Sequence, residues 1–390
     1  MIEVTDKSKC CGCTACMAIC SKEAIIMQPD AMGFLYPVVA NEKCIDCGQC
    51  EKVCAFNDHY DRSDYFEVPL VFGARNKDKT VVEYSQSGGL FYTLAKWVIE
   101  NSGIVYGAGF KTVYEVIHKR VETLEQLDEL RGSKYVQSDL QSSFLDVIKD
   151  LKAGKLVLFS GTGCQVAGLH SLMRQTRTND NKLILCDIIC HGVPSPYVWK
   201  ENVKQVGKQN RAKVETAVFR NKRLFDWHNA VSSYQLDNGK IVTSDLYYKA
   251  FGFNCINRQS CGVCFFSNLH RPGDITIGDF WGLNKIHQDL DNDNLGVSLV
   301  LINNLKGQNT FNAILSELQY FKSNTIDCIQ PNLQSPSLQS PFRDQFEKDF
   351  VSKGYKFAMR RLNGLLSNNH GFLRPLFRKI KDVFHVILAK

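Results

Sequence analysis

Cys10, Cys13, Cys16 and Cys20 repeat the spacing of Cys44, Cys47, Cys50 and Cys54: Cys-x2-Cys-x2-Cys-x3-Cys. In that bacterial ferredoxin run, three close thiolates wrap one cubane and the fourth cysteine crosses to the other. The pattern therefore predicts one [4Fe–4S] site at Cys10, Cys13, Cys16 and Cys54, and a second at Cys44, Cys47, Cys50 and Cys20. Soft, anionic sulfur suits iron and balances its charge. A zinc ribbon or disulfides are the competing readings, but zinc knuckles do not need a fourth cysteine three residues on, twice. The proline that normally follows the fourth cysteine is replaced by Ser21 and Ala55. Proline ligates nothing, so both sites are expected to hold. Cys11 falls outside the register and is read as a bystander.

Seven further cysteines lie beyond residue 160, among them three in NCINRQSCGVCFF (Asn254 to Phe266). Cys261 and Cys264 form a CxxC there. Cys164 opens a helix in GTGCQVAGL, and Cys190 ends a strand in CDIICHG. Functional groups in a parallel sheet gather beyond the strand C-termini, so Cys164 and Cys190 are expected at one sheet edge. With Cys261 and Cys264 they make four thiolates, enough for a third [4Fe–4S] or for a structural zinc. Cys186, Cys255 and Cys328 read as small buried hydrophobes.

The rest of the composition bounds the setting. Sixteen cysteines accompany no secretory signal and no run of 18 apolar residues. That combination points to metal or redox chemistry in a reducing, cytoplasmic compartment. The net charge of +7 is concentrated at the end: from Lys353 onward nine Lys and Arg face only Asp382. No finger spacing or RNA-binding signature accompanies them, which excludes a nucleic-acid partner. The segment FLRPLFRKIKDVFHVILAK (Phe372 to Lys390) has helical amphipathicity. It could touch the inner membrane face as a peripheral contact or dock on its own domain.

Elements that would position these groups follow from periodicity. A polar stretch, Asn57 to Pro69, separates a dicluster ferredoxin-like domain (1–58) from a larger module. Within that module, Leu90, Leu94, Trp97 and Val98 keep helical spacing, and Ile104 to Phe110 reads as a buried strand. Leu156 to Ser160 reads as a strand, Gly161 to Gly163 as a tight loop, Cys164 onward as a helix, and Leu183 to Ile189 as the next strand. The Asn238-Gly239 pair between apolar runs predicts a hairpin. The expected class is α+β: a small N-terminal bacterial-type dicluster ferredoxin domain, then a larger mixed α/β iron–sulfur-binding domain. The larger domain divides into an N-part (66–150), a C-part carrying the third thiol set (151–330) and a basic helical tail (340–390).

Six motifs, SQSGGL, GSKYVQSDL, VLFSGTGCQVAGL, ICHGVPSP, SCGVCFF and GDITIGDFWG, occur in that order. Together with the ferredoxin runs they resemble the coenzyme F420 hydrogenase/dehydrogenase beta-subunit family, in its bacterial form with an N-terminal two-cluster domain. The likeness spans roughly residues 1 to 310. It implies a flavin, FAD or FMN, beside a [4Fe–4S] cluster in the larger domain. Ser85, Ser87, Gly88 and Gly89 offer backbone N–H groups at a helix start, a place for a phosphate. Ser133, Lys134 and Tyr135 add a hydroxyl, a charge and an aromatic face, while Gly161, Thr162 and Gly163 permit close backbone approach. His191, Lys134 and Asp279 are the candidate catalytic residues: His191 could handle protons near the flavin, and Asp279 could line the cofactor. The reading is an iron–sulfur flavoprotein oxidoreductase, fed by a reduced ferredoxin or a partner subunit and acting on a small-molecule substrate. The alternative is an electron-relay subunit of a larger redox or biosynthetic complex.

Overall fold

The computed structural model describes residues 1–57, 60–61, 63–227, 229, 231–283, 288–291 and 293–368. The amphipathic segment from residue 372 onward, and its membrane contact, lie outside the described residues. The N-terminal module is a duplicated loop–helix unit around one hairpin. Short helices α1 (Ala15–Ala18) and α2 (Gln49–Lys52) follow the second cysteine of each run, and β1 (Ile25–Pro29) pairs antiparallel with β2 (Leu35–Val39). The repeat extends to the backbone. Gly12 and Thr14 in the first run and Asp46 and Gly48 in the second all have positive φ. Left-handed residues turn each loop sharply enough to present successive sulfurs to one point.

The larger domain runs β3 (Leu70–Asn76), α3 (Lys79–Glu83), α4 (Leu90–Glu100), β4 (Ile104–Thr112), β5 (Glu115–Val121), α5 (Leu124–Leu127), α6 (Ser143–Lys152), β6 (Val157–Thr162), α7 (Gly163–Thr176) and β7 (Leu183–Ile188). It continues with α8 (Pro196–Asn210), β8 (Val214–Val218), β9 (Ser232–Leu236), β10 (Ile241–Ser244), α9 (Leu246–Gly252), β11 (Ile275–Asp279), β12 (Ser298–Ile302), α10 (Leu305–Ile314), β13 (Leu318–Ser323), α11 (Arg343–Lys353) and α12 (Tyr355–Asn368). Eight strands form one mixed sheet in the order β13-β3-β12-β11-β7-β6-β4-β5. Its centre, β11-β7-β6-β4, is parallel, and the flanking pairs are antiparallel. Strands from both the 66–150 and 151–330 stretches interleave in it. A second sheet, β10-β9-β8, contains the Asn238-Gly239 hairpin with Gly239 at φ 77.

One detail differs from the strand–loop–helix expectation. β6 runs through Gly161 and Thr162, and α7 begins at Gly163, so the strand passes into the helix without a loop. The Gln165 side chain permits this: its Oε1 accepts from Thr162 N at 3.0 Å and from Thr162 Oγ1 at 3.1 Å, capping the helix from inside its first turn.

The two modules share their cores. Met32 and Phe34 of the hairpin turn pack with Trp199, Val198 and Tyr234, while Ala15, Val53 and Phe56 pack with Phe144, Phe159 and Phe266. Ser195 Oγ donates to Met32 O at 2.5 Å, which fixes the turn against the start of α8. The connecting stretch is anchored too. Tyr60 OH lies 2.6 Å from His170 Nδ1, Arg174 pairs with Asp61 and Asp64, and Tyr65 OH donates to Pro272 O at 2.5 Å. These contacts hold the connection against α7, close to where Cys164 begins that helix.

Candidate metal centres and the adjoining cavity

Cysteines gather in three places. Cys10, Cys13, Cys16 and Cys54 line one recess together, and Cys20, Cys44, Cys47 and Cys50 line another. Each grouping takes three cysteines from one run and one from the other. Backbone N–H groups aim at the sulfurs: Ile2 N lies 3.3 Å from Cys50 Sγ, Ala24 N 3.3 Å from Cys20 Sγ, and Asp46 N 3.4 Å from Cys44 Sγ. Donors placed on sulfur stabilise thiolate over thiol and tune a cluster. Cys47 is exposed, whereas Cys13 and Cys16 are buried, so the second set faces solvent and the first faces the larger domain.

The third gathering lies at the C-terminal edge of the parallel strands. Thr162 pairs with Ile188 at the ends of β6 and β7, which sets Cys164 and Cys190 side by side, two residues further on. Cys261 and Cys264 come from a single helical turn before β11, and all four thiols line one recess. Gly192 N approaches Cys190 Sγ and Val193 N approaches Cys261 Sγ, each at 3.4 Å. Among the described residues no three His, Cys, Asp or Glu converge closely enough to hold a single metal ion.

Cys11 also lines this third recess, within hydrogen-bonding reach of both Cys13 and Cys164. The neighbouring Cys11 thiol is the largest influence lowering the Cys164 thiol, against its burial. Read from spacing as a bystander, Cys11 is the side chain that joins the first and third sets. Cys186, Cys255 and Cys328 are buried elsewhere, with Cys255 Sγ donating to Ser340 Oγ at 3.2 Å.

Beside the third set lies a cavity of about 270 Å³. Thr162, Cys190, Gly192 and Val193 belong to the walls of both. The cavity is lined by Ser85, Ser87 and Gly89 ahead of α4, by Ser133, Lys134 and Tyr135, by Gly161 and Thr162, and by His191 and Asp279. Gly88 stands apart, packed with its Cα against Ala74 O and Ser298 N, where an added Cβ would approach to 2.4 and 2.8 Å. Phe91, Tyr92, Phe251 and Trp281 supply aromatic walls. Four buried polar atoms around the cavity, Ser85 Oγ, Gln86 Nε2, Arg131 Nε and Tyr248 OH, have no hydrogen-bond partner among the described residues. Buried polar groups are nearly always satisfied, so four orphans around one cavity mark a place shaped for a polar ligand.

Charge in the cavity is arranged by burial. Lys134 Nζ donates to Arg131 O at 2.8 Å and Glu129 O at 3.1 Å; burial, then nearby Lys119, pushes its pKa down to about 7. Asp279, at the end of β11, is engaged by Arg220 Nη1 at 2.7 Å, and the same nitrogen lies 3.2 Å from Tyr135 OH. His191 is pushed down to about 4 by its burial. His118, from β5, also lines the cavity. Its Nδ1 lies 2.9 Å from Ser138 Oγ, which accepts from Gln165 Nε2 at 3.1 Å. Gln165 holds Thr162, whose Oγ1 lies 3.2 Å from Cys164 Sγ. A hydrogen-bonded chain thus runs from the cavity wall to a third-set cysteine. No local sequence signal marks it, because its members come from separate elements.

Residues 154–327 match the family model for the C terminus of the Coenzyme F420 hydrogenase/dehydrogenase beta subunit, and residues 9–57 match the 4Fe-4S dicluster domain. Over that C-terminal stretch the chain is similar to the coenzyme F420 hydrogenase/dehydrogenase beta-subunit family. Its N-terminal module is a 4Fe–4S dicluster domain, and the chain is an iron–sulfur electron-transfer protein. Similar solved structures include the xenon-derivatised F420-reducing [NiFe] hydrogenase complex from Methanosarcina barkeri: 19% identity, 78% of this chain and 93% of that one covered, TM-score 0.47. No curated protein matches the chain. Among the described residues no helix is long and apolar enough to cross a membrane.

Proposed function

We propose that this chain is an iron–sulfur flavoprotein oxidoreductase, taking electrons from a reduced ferredoxin or a partner subunit and acting on a small-molecule substrate at the 270 Å³ cavity. One observation carries the reading: Thr162, Cys190, Gly192 and Val193 wall both the third thiol set and the cavity. The thiol sets therefore form a row from exposed Cys47 through buried Cys13 to Cys190 at the cavity. With groups bound, the cubanes would supply single-electron steps and the flavin a two-electron, hydride-type exchange.

The chain's own residues support such groups. Cys164, Cys190, Cys261 and Cys264 would hold a third [4Fe–4S], since their four thiols line one recess. Ser85, Ser87, Gly89, Ser133, Lys134, Tyr135, Gly161 and Thr162 would hold the flavin, FAD or FMN, with the unpartnered Ser85 Oγ, Gln86 Nε2, Arg131 Nε and Tyr248 OH as further donors and acceptors. Gly88 serves this site by letting the turn before α4 press onto β3. The aromatic walls exclude water, and Arg220 orients the Asp279 carboxylate at the cavity's edge.

Anaerobic purification with iron, sulfide and flavin analysis tests the assignment. About twelve irons and one flavin per chain are expected, at four irons per cubane. Cys261→Ser or Cys264→Ser should leave about eight irons. Eight irons in the unaltered protein would remove the third cubane, and absence of flavin would remove the flavoprotein reading.

A further inference from the structure

Arg258 is fully buried. Its guanidinium donates to Cys10 O at 2.8 Å, Leu35 O at 2.9 Å and Gln137 Oε1 at 3.0 Å, and Nη2 lies 3.6 Å from Cys10 Sγ. The ring of Tyr36 lies 4.1 Å away. Every one of these partners is neutral except the sulfur. Among the described residues Arg258 forms no ion pair with a carboxylate, and a buried cation without a counter-charge is strongly unfavourable.

The same side chain reaches the third set. It lines the recess of Cys164, Cys190, Cys261 and Cys264, and Arg258 O accepts from Cys261 N at 3.0 Å. A second arginine at that recess, Arg271, gives the contrast. It is bound to buried Asp187, with Nε 2.9 Å from the carboxylate, so its charge is already balanced. Arg258 is thus an unbalanced cation between two groups of thiolates. The backbone is shaped around it: a Cβ on Gly12, inside the first cysteine run, would lie 2.9 Å from Arg258 Nη1.

We propose that Arg258 is a positioning residue shared by the first and third clusters, whose buried charge is balanced only by their anionic ligands and raises the reduction potential of both. The inference rests on the third-cubane reading above. Reduction adds one electron and makes a cluster more negative by one charge, so a fixed cation in a poorly screened interior stabilises the reduced form more than the oxidised one.

The test is an anaerobic redox titration of the full-length, iron-loaded protein followed by electron paramagnetic resonance. Arg258→Gln should make the first and third clusters harder to reduce, lowering each one-electron equilibrium constant at least about tenfold, or about 59 mV. The second cluster should not move. Arg258→Lys should restore most of the shift. Gln137→Glu would place a carboxylate on the guanidinium; it should shift both midpoints the same way with Arg258 still present, which covers the case in which Arg258→Gln does not assemble. Unmoved midpoints at full iron, a shift confined to the first cluster, or equal shifts in the Gln and Lys variants would each overturn the role of Arg258 and leave the cluster reading standing. About eight irons in the unaltered protein would overturn both.

Discussion

Lys134 shows how one side chain sets a measurable property of the proposed flavin site. Two of its three donors are used by the carbonyls of Arg131 and Glu129, and burial holds its pKa near 7. An anionic phosphate beside it would raise that value. Below pH 7 the ammonium form is already present, so binding needs no proton. Above pH 7 binding must take one up, and affinity falls by up to about tenfold for each further pH step of one. FAD titrations of flavin-free protein between pH 6 and 9 should show this decline, and Lys134→Met should flatten it. The residues visible in the sequence were those with a spacing: eight cysteines in two runs, and the CxxC at Cys261 and Cys264. Cys11, Arg258 and His118 escaped because each acts through partners far along the chain, and nothing in their own neighbourhoods is periodic.

At the scale of elements, the contact between α7 and the first cysteine run carries the connection between modules. Gly168 lies in the middle of α7, where glycine costs about 1 kcal/mol relative to alanine. Its presence is explained by packing: a Cβ there would stand 2.7 Å from Cys13 Sγ and 2.9 Å from Cys13 Cβ. Cys13 cannot yield if it is tied to a cluster. Gly168→Ala should therefore push the dicluster domain off α7, costing about 1–3 kcal/mol as an overpacked contact. The measurable outcome is loss of hydrogen-exchange protection at Ala15–Ala18 and in the first turns of α7. A thermal stability equal to or above that of the unaltered protein would contradict it. The alternation of β6, α7 and β7 was readable from local pattern, and so was the Asn238-Gly239 hairpin. The insertion of β3 between β12 and β13 was not, since strand order across a sheet is decided by long-range pairing that leaves no periodic trace.

For the whole molecule, two buried histidines make the fold sensitive to acid. His118 stacks on Phe159 beside the cavity at 4% exposure, and His170 of α7 meets the connecting stretch at 6% exposure. Burial pushes each down to about 4, well below the ordinary 6.5. A histidine with a depressed pKa is held neutral in the folded state, so its contribution is fully present above the unfolded pKa. It is lost as pH falls from 6.5 toward 4, because the unfolded chain takes up the proton first. Between pH 7 and 5 each should lower stability by about 2 kcal/mol, since a tenfold change in proton affinity is worth about 1.36 kcal/mol. One histidine is tied to the cavity and the other to the connection between modules. Acid should thus loosen both the cavity wall and the docking of the dicluster domain in one transition. Urea unfolding at pH 7 and pH 5 tests this, with His118→Gln and His170→Phe each expected to reduce the pH-dependent loss. Cluster loss in acid would act on all three proteins alike, so the difference between them isolates the imidazoles. An unchanged pH dependence in both variants would place the acid sensitivity on the iron–sulfur sites instead.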